Sequence, residues 1–353
     1  SSLECPPNPP RRMTWRSCSK RRSMPLAGGL AAACALVFLR RGLAREASGS
    51  KGEVGRQAPK PYDEEEALTF VQYARASFCT KESVEAWDCG DACLGAPVEP
   101  GSVRFFGPGE QWAVQGYVAK IPSPSGRCVV AFRGSVVWQN WLADGYCVQK
   151  AWPPEGSDRE NASWCEGCKV HAGFSAAYEE LRPSVAASLR ELGCESAAVA
   201  GHSLGAAVAS LAVLDIRAGL GLRVDPAYSF GKPRVGNDAY VNAFMDAAKK
   251  QGVETMSWRV VHYRDPVPRL PFPNALLPYA HEMHEVYYDA RESSSYRECE
   301  LQGELVNGYE DPTCSWATPL VGCINLDHLT YLNKSFAHTE MEPKCTGKTL
   351  AFV

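Results

Sequence analysis

A serine with the surroundings of a catalytic nucleophile lies near the middle of the chain, in Gly201-His202-Ser203-Leu204-Gly205. A short apolar segment, Ser196 to Ala200, precedes it, and an apolar segment of helical character, Leu204 to Gly219, follows it. This order predicts a sharp strand–turn–helix elbow, which needs glycines on either side because larger side chains would collide there. The hydroxyl would project from a helix N-terminus, where the helix dipole favours a developing negative charge.

A serine nucleophile needs a general base, and the base needs an acid that orients it. After such an elbow, the acid follows a later strand and the histidine comes after the acid. Asp265 follows the strand-like segment Trp258 to Tyr263, and His328 lies late in the chain. Ser203, Asp265 and His328 are therefore the candidate triad, with three other histidines as competitors for the base: His281, His284 and His338.

Alternating strand and helix patterns predict the elements that must position these residues. Asp63 can cap a helix that runs through Cys79, and strands are expected at 103–106, 111–119 and 127–132, the first ones antiparallel. The segment His171 to Leu192 is helical in pattern, and Pro183 should lie in its first turn or break it. Strands and helices then alternate to Tyr288, which predicts a mostly parallel α/β sheet with helices on both faces.

Charge excludes nucleic acid as a target. The chain has 353 residues, of which 45% are hydrophobic, so it can bury a sizeable core. Residues 1–45 contain nine Lys/Arg and one acidic residue, which leaves 28 basic and 39 acidic side chains after residue 45. This acidic body would repel phosphate groups.

The first 61 residues differ in composition from the rest. Residues 1–45 form a basic head whose apolar run, Leu26 to Leu39, is short for a membrane span and has the length of a signal-peptide core. Arg40 and Arg41 directly follow this run, so a signal anchor is an alternative and an organelle or plastid transit peptide is a third. Residues 46–61 are typical of a linker, and 62–353 form the folded domain.

Twelve cysteines in the folded domain predict disulfides and an oxidising compartment, hence a secreted protein or one of the endomembrane lumen. Zinc at Cys165 and Cys168 is the competing interpretation, although the nearby His171 brings the ligands only to three. Cys128 lies in an apolar strand and is a candidate for a buried free thiol. No pairing is assigned to six of the cysteines, namely Cys128, Cys147, Cys194, Cys299, Cys314 and Cys323.

Several motifs occur together in one order along the domain. They are Phe132-Arg133-Gly134-Ser135, Val170-His171-x-Gly173-Phe174, the elbow, Phe230-Gly231-x-Pro233-Arg234-Val235-Gly236-Asn237, Asp265-Pro266-Val267-Pro268-Arg269-Leu270-Pro271 and Asp327-His328-Leu329-x-Tyr331. From about Tyr62 to Cys345 the chain resembles the fungal-type class 3 lipases of the α/β-hydrolase fold. The resemblance implies a nucleophile at Ser203, an acid at Asp265 and a base at His328.

The resemblance also implies the groups around the triad. Backbone N–H groups of Ser135 and Leu204 would form the oxyanion hole. Three disulfides would join Cys79 to Cys345, Cys89 to Cys93, and Cys165 to Cys168. A short segment after Ser135 would be a helical lid over the site, with its apolar side chains at Val136, Val137, Trp138, Trp141 and Leu142.

The lid segment has one apolar face, and its tryptophans suit a lipid–water boundary. A plain core helix is the alternative. The expected activity is hydrolysis of carboxylic esters of lipids at such boundaries, foremost as a triacylglycerol lipase. Phospholipase A1, monoacylglycerol lipase and feruloyl esterase are alternatives of the same fold, and a catalytically inactive binding protein is an alternative of another class. No cofactor, metal or obligate protein partner is implied.

Overall fold

An eight-stranded sheet runs through the part of the chain that the computed structural model describes, namely residues 61–134, 148–160, 162–254, 256–273, 277–299, 310–318, 325–337 and 345. In chain order, the strands of this sheet are β1 (Arg104–Phe106), β2 (Gly116–Lys120), β3 (Arg127–Phe132), β6 (Ser196–His202), β7 (Arg223–Phe230), β8 (Ser257–His262), β9 (His284–Tyr288) and β10 (Arg297–Glu298). Two small antiparallel pairs lie outside it, β4 (Gln149–Ala151) with β5 (Lys169–His171), and β11 (Thr330–Tyr331) with β12 (Lys334–Ser335).

The sheet is parallel in its centre and antiparallel at its edges. Strands β3, β6, β7, β8 and β9 pair in parallel, in that spatial order. Strands β1 and β2 extend the sheet antiparallel beyond β3, and β10 pairs antiparallel with β9. The predicted mostly parallel sheet and its antiparallel first strands are confirmed.

Seven α-helices accompany the sheet in the described part of the chain: α1 (Glu64–Ala76), α2 (Lys81–Glu85), α3 (Asp91–Leu94), α4 (Ala172–Glu191), α5 (Leu204–Leu214), α6 (Asp238–Gln251) and α7 (Asn325–His328). The predicted cap of α1 is present, since the Asp63 carboxylate accepts hydrogen bonds from the N–H groups of Glu65 and Glu66. Helix α6 ends at Gly252, which adopts the left-handed conformation that suits a helix C-terminus. Among these helices, none is long and apolar enough to cross a bilayer.

Helices cover both faces of the sheet. Neighbouring residues along a strand point to opposite faces, so their contacts show which helices pack on each side. Val118 of β2 and Val130 of β3 lie in one buried cluster, together with side chains of α4, α5 and α6. Tyr117 and Val129, one residue earlier on the same strands, lie in a second cluster that contains the buried face of α1. The predicted arrangement of helices on both faces is therefore confirmed.

Two predicted elements differ from the structure. The strand expected at 111–119 is the shorter β2, because Ala113 has a φ of 50° and the chain turns there before β2 begins. Pro183 lies inside α4, which continues unbroken from Ala172 to Glu191. Because proline has no N–H, the carbonyl of Glu179 lacks its usual amide partner. Pro183 is exposed, so this carbonyl lies on the side of the helix that water can reach.

Five disulfides join ten cysteines of the described residues. Three are the pairs that the resemblance implies, Cys79–Cys345, Cys89–Cys93 and Cys165–Cys168. The other two are Cys128–Cys194 and Cys299–Cys314. The expectation of a free thiol at Cys128 is wrong, because Cys194 lies just before β6, the strand that pairs with β3, and the two Cα atoms are 5.7 Å apart.

Several predictions concern residues outside the described part of the chain. These are the head and linker up to residue 60, Ser135, the lid segment 136–142, His338, and the cysteines at 147 and 323. They stay predictions.

Candidate active site

The elbow joins β6 to α5 and holds Ser203 in a strained conformation. Ser203 has a φ of 57° and is the N-cap residue of α5, and its N–H donates to the carbonyl of Phe230 on β7 at 2.9 Å. A Cβ atom on Gly201 would lie 2.6 Å from the carbonyl oxygen of Gly205, and one on Gly205 would collide with the backbone of Phe132 and Arg133. The close approach of β3, β6 and α5 therefore requires both glycines.

Three side chains of the candidate triad meet in one line of hydrogen bonds. Ser203 Oγ lies 2.8 Å from His328 Nε2, and His328 Nδ1 lies 2.8 Å from Asp265 Oδ2. Ser203 follows β6 and Asp265 follows β8, so the parallel sheet brings both to its carboxyl edge, while His328 reaches them from the end of α7. All three are buried, with exposed fractions of 1%, 3% and 0% for Ser203, Asp265 and His328.

Two further donors hold the carboxylate of Asp265. The N–H of Val267 donates to Oδ1 at 2.8 Å, and the hydroxyl of Tyr331 donates to Oδ2, the oxygen that also contacts His328. Burial, followed by the negative charge of Asp265, raises the pKa of Tyr331 well above its usual value, so this hydroxyl keeps its proton. Tyr331 belongs to one of the sequence motifs, but its contact with Asp265 was not predicted. The available signal was its position three residues after His328.

The competing histidines contact other groups. His281 is buried, with Nε2 2.8 Å from the carbonyl of Pro268 and Nδ1 3.3 Å from Lys232 Nζ. His284 begins β9, and its Nε2 lies 3.1 Å from the carbonyl of Glu254. Burial is the main cause that lowers the pKa of both imidazoles. The described residues thus bring only His328 to Ser203.

The residue beside the nucleophile, His202, packs behind the triad. Its ring is stacked on Phe336, with centroids 4.0 Å apart, and its Nε2 lies 2.8 Å from the carbonyl of His328. Burial, and then the neighbouring His328, lowers the pKa of His202 well below its usual value. His202 is therefore a neutral imidazole that donates from Nε2 to the backbone of the catalytic histidine candidate.

One of the two expected oxyanion donors is described. Leu204 is the first residue of α5, so its N–H belongs to the first turn, whose amides have no carbonyl partner within the helix. This N–H lies beside Ser203 at the positive end of the helix dipole.

Two buried ion pairs involve the segment that follows β7, and neither was predicted. Lys232 and Glu282 are both fully buried and 2.8 Å apart, and Ser210 of α5 donates to the same carboxylate oxygen at 2.5 Å. The guanidinium of Arg234 forms two hydrogen bonds to Glu310, at 2.8 and 2.7 Å. These pairs tie the segment after β7 to Glu282, just before β9, and to Glu310.

Two groups of described side chains come close enough to share a metal ion. They are Cys79, Cys89 and Cys345, and Cys299, Asp311 and Cys314. Every cysteine in them is disulfide-bonded, as are Cys165 and Cys168, so none offers a thiolate ligand. The zinc interpretation of Cys165 and Cys168 is therefore wrong.

Comparison with known proteins agrees with the fold and with the family resemblance. The sequence profile described as Lipase (class 3) matches residues 129–275. The chain is 30% identical over 274 residues to a secreted mono- and diacylglycerol lipase 1 of Fusarium solani, with 74% of each chain covered. It is 32% identical over 212 residues to a secreted mono- and diacylglycerol lipase A of Penicillium cyclopium.

The Penicillium alignment covers 57% of this chain and 63% of the relative, so the chain spans less than two thirds of that relative's length. Among solved structures, a triacylglycerol lipase whose catalytic centre is a serine-protease triad is similar with a TM-score of 0.60 at 26% identity. That similarity covers 78% of this chain and 96% of the other. The fold is thus the α/β-hydrolase fold, and this chain belongs to the class 3 lipase family.

Proposed function

We propose that this protein is a serine hydrolase that cleaves carboxylic esters of lipids. The observation that carries the proposal is the unbroken line of hydrogen bonds from Asp265 through His328 to Ser203, each 2.8 Å long. A hydroxyl, an imidazole and a carboxylate in this order can generate a nucleophile at neutral pH.

The reaction begins with attack by Ser203 Oγ on the ester carbonyl. His328 Nε2 accepts the hydroxyl proton and then gives it to the departing alcohol, while an acyl group stays on Ser203. Asp265 accepts a hydrogen bond from the Nδ1–H of His328, which keeps Nε2 free to act as the base and stabilises the imidazolium that forms. A water molecule then attacks the acyl group while His328 takes its proton, and His328 returns that proton to Ser203 Oγ as the bond to the acyl group breaks and the fatty acid leaves.

Negative charge develops on the carbonyl oxygen during both steps. The N–H of Leu204 at the start of α5 is one donor to this oxygen. The second donor in the proposal is the backbone N–H of Ser135, as the resemblance implies. Such donors stabilise the transition state because the protein holds them in place before charge develops.

The proposed substrates are acylglycerols. The Fusarium and Penicillium relatives are named mono- and diacylglycerol lipases, and the solved neighbour a triacylglycerol lipase. Partial acylglycerols are therefore a second candidate beside triacylglycerols. In this proposal the segment 136–142 is a lid whose tryptophans contact the lipid surface when the site opens.

The proposed location is outside the cell or in the endomembrane lumen. Five disulfides join described cysteines, which a reducing cytosol would not maintain. Both named fungal relatives are described as secreted.

Hydrolysis rates on a panel of esters test the proposal. The panel contains mono-, di- and triacylglycerols, a phospholipid and a feruloyl ester, each measured below and above its solubility limit. We expect acylglycerols to be cleaved fastest, with a steep rise in rate where the lipid separates from water. Ser203→Ala should remove nearly all activity, on the order of 10⁴-fold or more. Preference for the feruloyl ester would contradict the lipid substrate, and an active Ser203→Ala variant would contradict the mechanism.

A further inference from the structure

His262, at the end of β8, makes an unusual pair of contacts for a neutral imidazole. Its Nδ1 lies 2.8 Å from the carbonyl oxygen of Asp327, and its Nε2 lies 2.9 Å from the carbonyl oxygen of Arg291. The residue is 1% exposed. Both ring nitrogens of this buried side chain therefore face groups that only accept hydrogen bonds.

Counting donors assigns the charge of this ring. A neutral imidazole carries one N–H and one bare nitrogen, and the bare nitrogen would repel a carbonyl oxygen at this distance. Only the imidazolium, with two N–H groups, satisfies both contacts. A buried cation needs a counter-charge.

The carboxylate of Asp327 supplies that counter-charge. Asp327 is 2% exposed and its Oδ1 lies 3.2 Å from Arg291 Nη2, whereas its Oδ2 has no hydrogen-bond partner among the described residues. Burial raises the pKa of Asp327, and the positive charges of Arg291 and His262 oppose this rise. One carboxylate thus faces two cations beside the backbone that His262 holds.

The contact of His262 with Asp327 affects the position of the next residue, His328. Asp327 and His328 are the last residues of the four-residue helix α7, whose terminal carbonyls lack partners within the helix. His262 donates a hydrogen bond to the carbonyl of Asp327, and His202 donates one to the next carbonyl, that of His328, at 2.8 Å. Two imidazoles therefore hold successive carbonyls of the segment that presents the base to Ser203.

We propose that His262 is a positioning residue, a buried imidazolium that ties the His328 segment to β8, the strand that leads into Asp265. This inference rests on the proposed function, because it assumes that His328 is the base. The hydrogen bond from His262 to Asp327 keeps the acid and the base in register, because both are then attached to β8.

The surroundings of His262 contain few other charges in the described part of the chain. Asp265 and Arg264 follow it on its own segment, and both act electrostatically on Asp327. The ring of Tyr331 meets it edge-on, with centroids 5.7 Å apart, and Tyr288 is its partner on β9. Asp265 is thus the second carboxylate in this group, and it already accepts from His328, Tyr331 and Val267.

Nitrogen NMR of the full chain labelled with ¹⁵N-histidine tests the charge directly. The chain has seven histidines, and His262→Gln identifies the signals of His262 by their loss. We expect both ring nitrogens of His262 to carry a proton at neutral pH. A bare nitrogen at His262 would overturn the inference, and this result does not depend on any activity.

Kinetics on a dissolved ester test the positioning role. In His262→Gln the side-chain amide can donate to one carbonyl but turns its own oxygen toward the other. We expect kcat to fall about 10–100-fold while KM stays within about twofold, because the base is displaced and substrate contacts are not. His284→Gln is the matched control, because the Nε2 of His284 lies beside the carbonyl of Glu254, which precedes β8, whereas Asp265 follows the other end of that strand; its kcat should not change.

Wild-type kcat in His262→Gln would overturn the positioning role. Should that variant fail to fold, the ring signals of His262 are assigned in the unmodified chain through their correlation with its own backbone amide, and an uncharged ring then refutes the positioning role. Activity that survives in Ser203→Ala would instead refute the proposed function.

Discussion

Gly231 packs against Asp265 and His328, the proposed acid and base, which makes it a sensitive place to perturb the site. A Cβ atom on this residue would lie 2.9 Å from the hydroxyl of Tyr331, 3.0 Å from Asp265 Oδ2 and 3.0 Å from His328 Cε1. Its φ is +63°, a conformation that a side chain disfavours. Gly231→Ala therefore adds both strain and three close contacts.

The two effects can be given magnitudes. The left-handed backbone costs an alanine about 1–2 kcal/mol, which lowers the free energy of unfolding. Relieving the contacts requires the acid and base to move by roughly 0.5 Å, since non-bonded carbon atoms prefer separations of about 3.5–4.0 Å. A displacement of this size in a catalytic group should lower kcat about 10–100-fold, equivalent to about 1.4–2.7 kcal/mol in the barrier.

Gly252→Ala separates the two effects. Gly252 has a φ of +66° at the end of α6, and a Cβ there would meet nothing within 4 Å. It therefore carries the backbone strain without the contacts. We expect Gly252→Ala to lose about 1–2 kcal/mol of stability and to keep its kcat.

The assay is hydrolysis of dissolved p-nitrophenyl acetate, with the concentration of active sites determined by titration and stability determined by urea unfolding. The predicted pattern is reduced stability in both variants and reduced kcat in Gly231→Ala alone. Wild-type kcat in Gly231→Ala, or an equal loss of kcat in both variants, would refute the reasoning from contacts.

Three other predictions concern stability and the acid. Cys79→Ser removes the disulfide to Cys345, which joins residues 266 apart in the sequence. Calorimetry should find the free energy of unfolding lower by about 3–5 kcal/mol than in the unmodified protein, and an unchanged value would contradict a stabilising role of this disulfide. Because burial lowers the folded pKa of His281, the unfolded chain binds a proton below about pH 6.5 that the folded chain does not. Stability should therefore fall with decreasing pH in that window, by up to about 1.4 kcal/mol per pH unit from this group, and the slope between pH 7 and 5 should be shallower in His281→Gln. Tyr331→Phe removes one of three donors to Asp265 and should lower kcat about tenfold with little change in KM, whereas a wild-type kcat would show that the hydroxyl does not support the acid.

Local patterns account for what the sequence predicts well. The elbow around Ser203 is contiguous, so the strand before it, the helix after it and the glycines on either side are visible together. Strand β3 is predicted to the residue because residues 128–132 are all apolar and glycines lie close on either side of the strand, at Gly126 and Gly134. Asp265 is identifiable because it follows a strand-like apolar segment and precedes Pro266, which cannot continue a strand.

Contacts between distant residues account for what the sequence does not predict. The Cys128–Cys194 bond depends on β3 lying beside β6, which no local pattern reveals. Pro183 defies its local preference because the long buried face of α4 outweighs one missing hydrogen bond. Lys232 would be assigned to the surface from its type alone, and only the fold places Glu282 beside it.

Covalent trapping of the nucleophile tests the central claim most directly. The full chain is incubated with a p-nitrophenyl alkylphosphonate, which reacts with an activated serine hydroxyl and releases p-nitrophenol, and the modified residue is then located by peptide mass spectrometry. The account predicts one p-nitrophenol released per protein, complete loss of ester hydrolysis, and the phosphonyl group on Ser203, with labelling strongly slowed in His328→Ala. Modification of any other residue with the same loss of activity, or persistent hydrolysis after Ser203 is fully labelled, would contradict it.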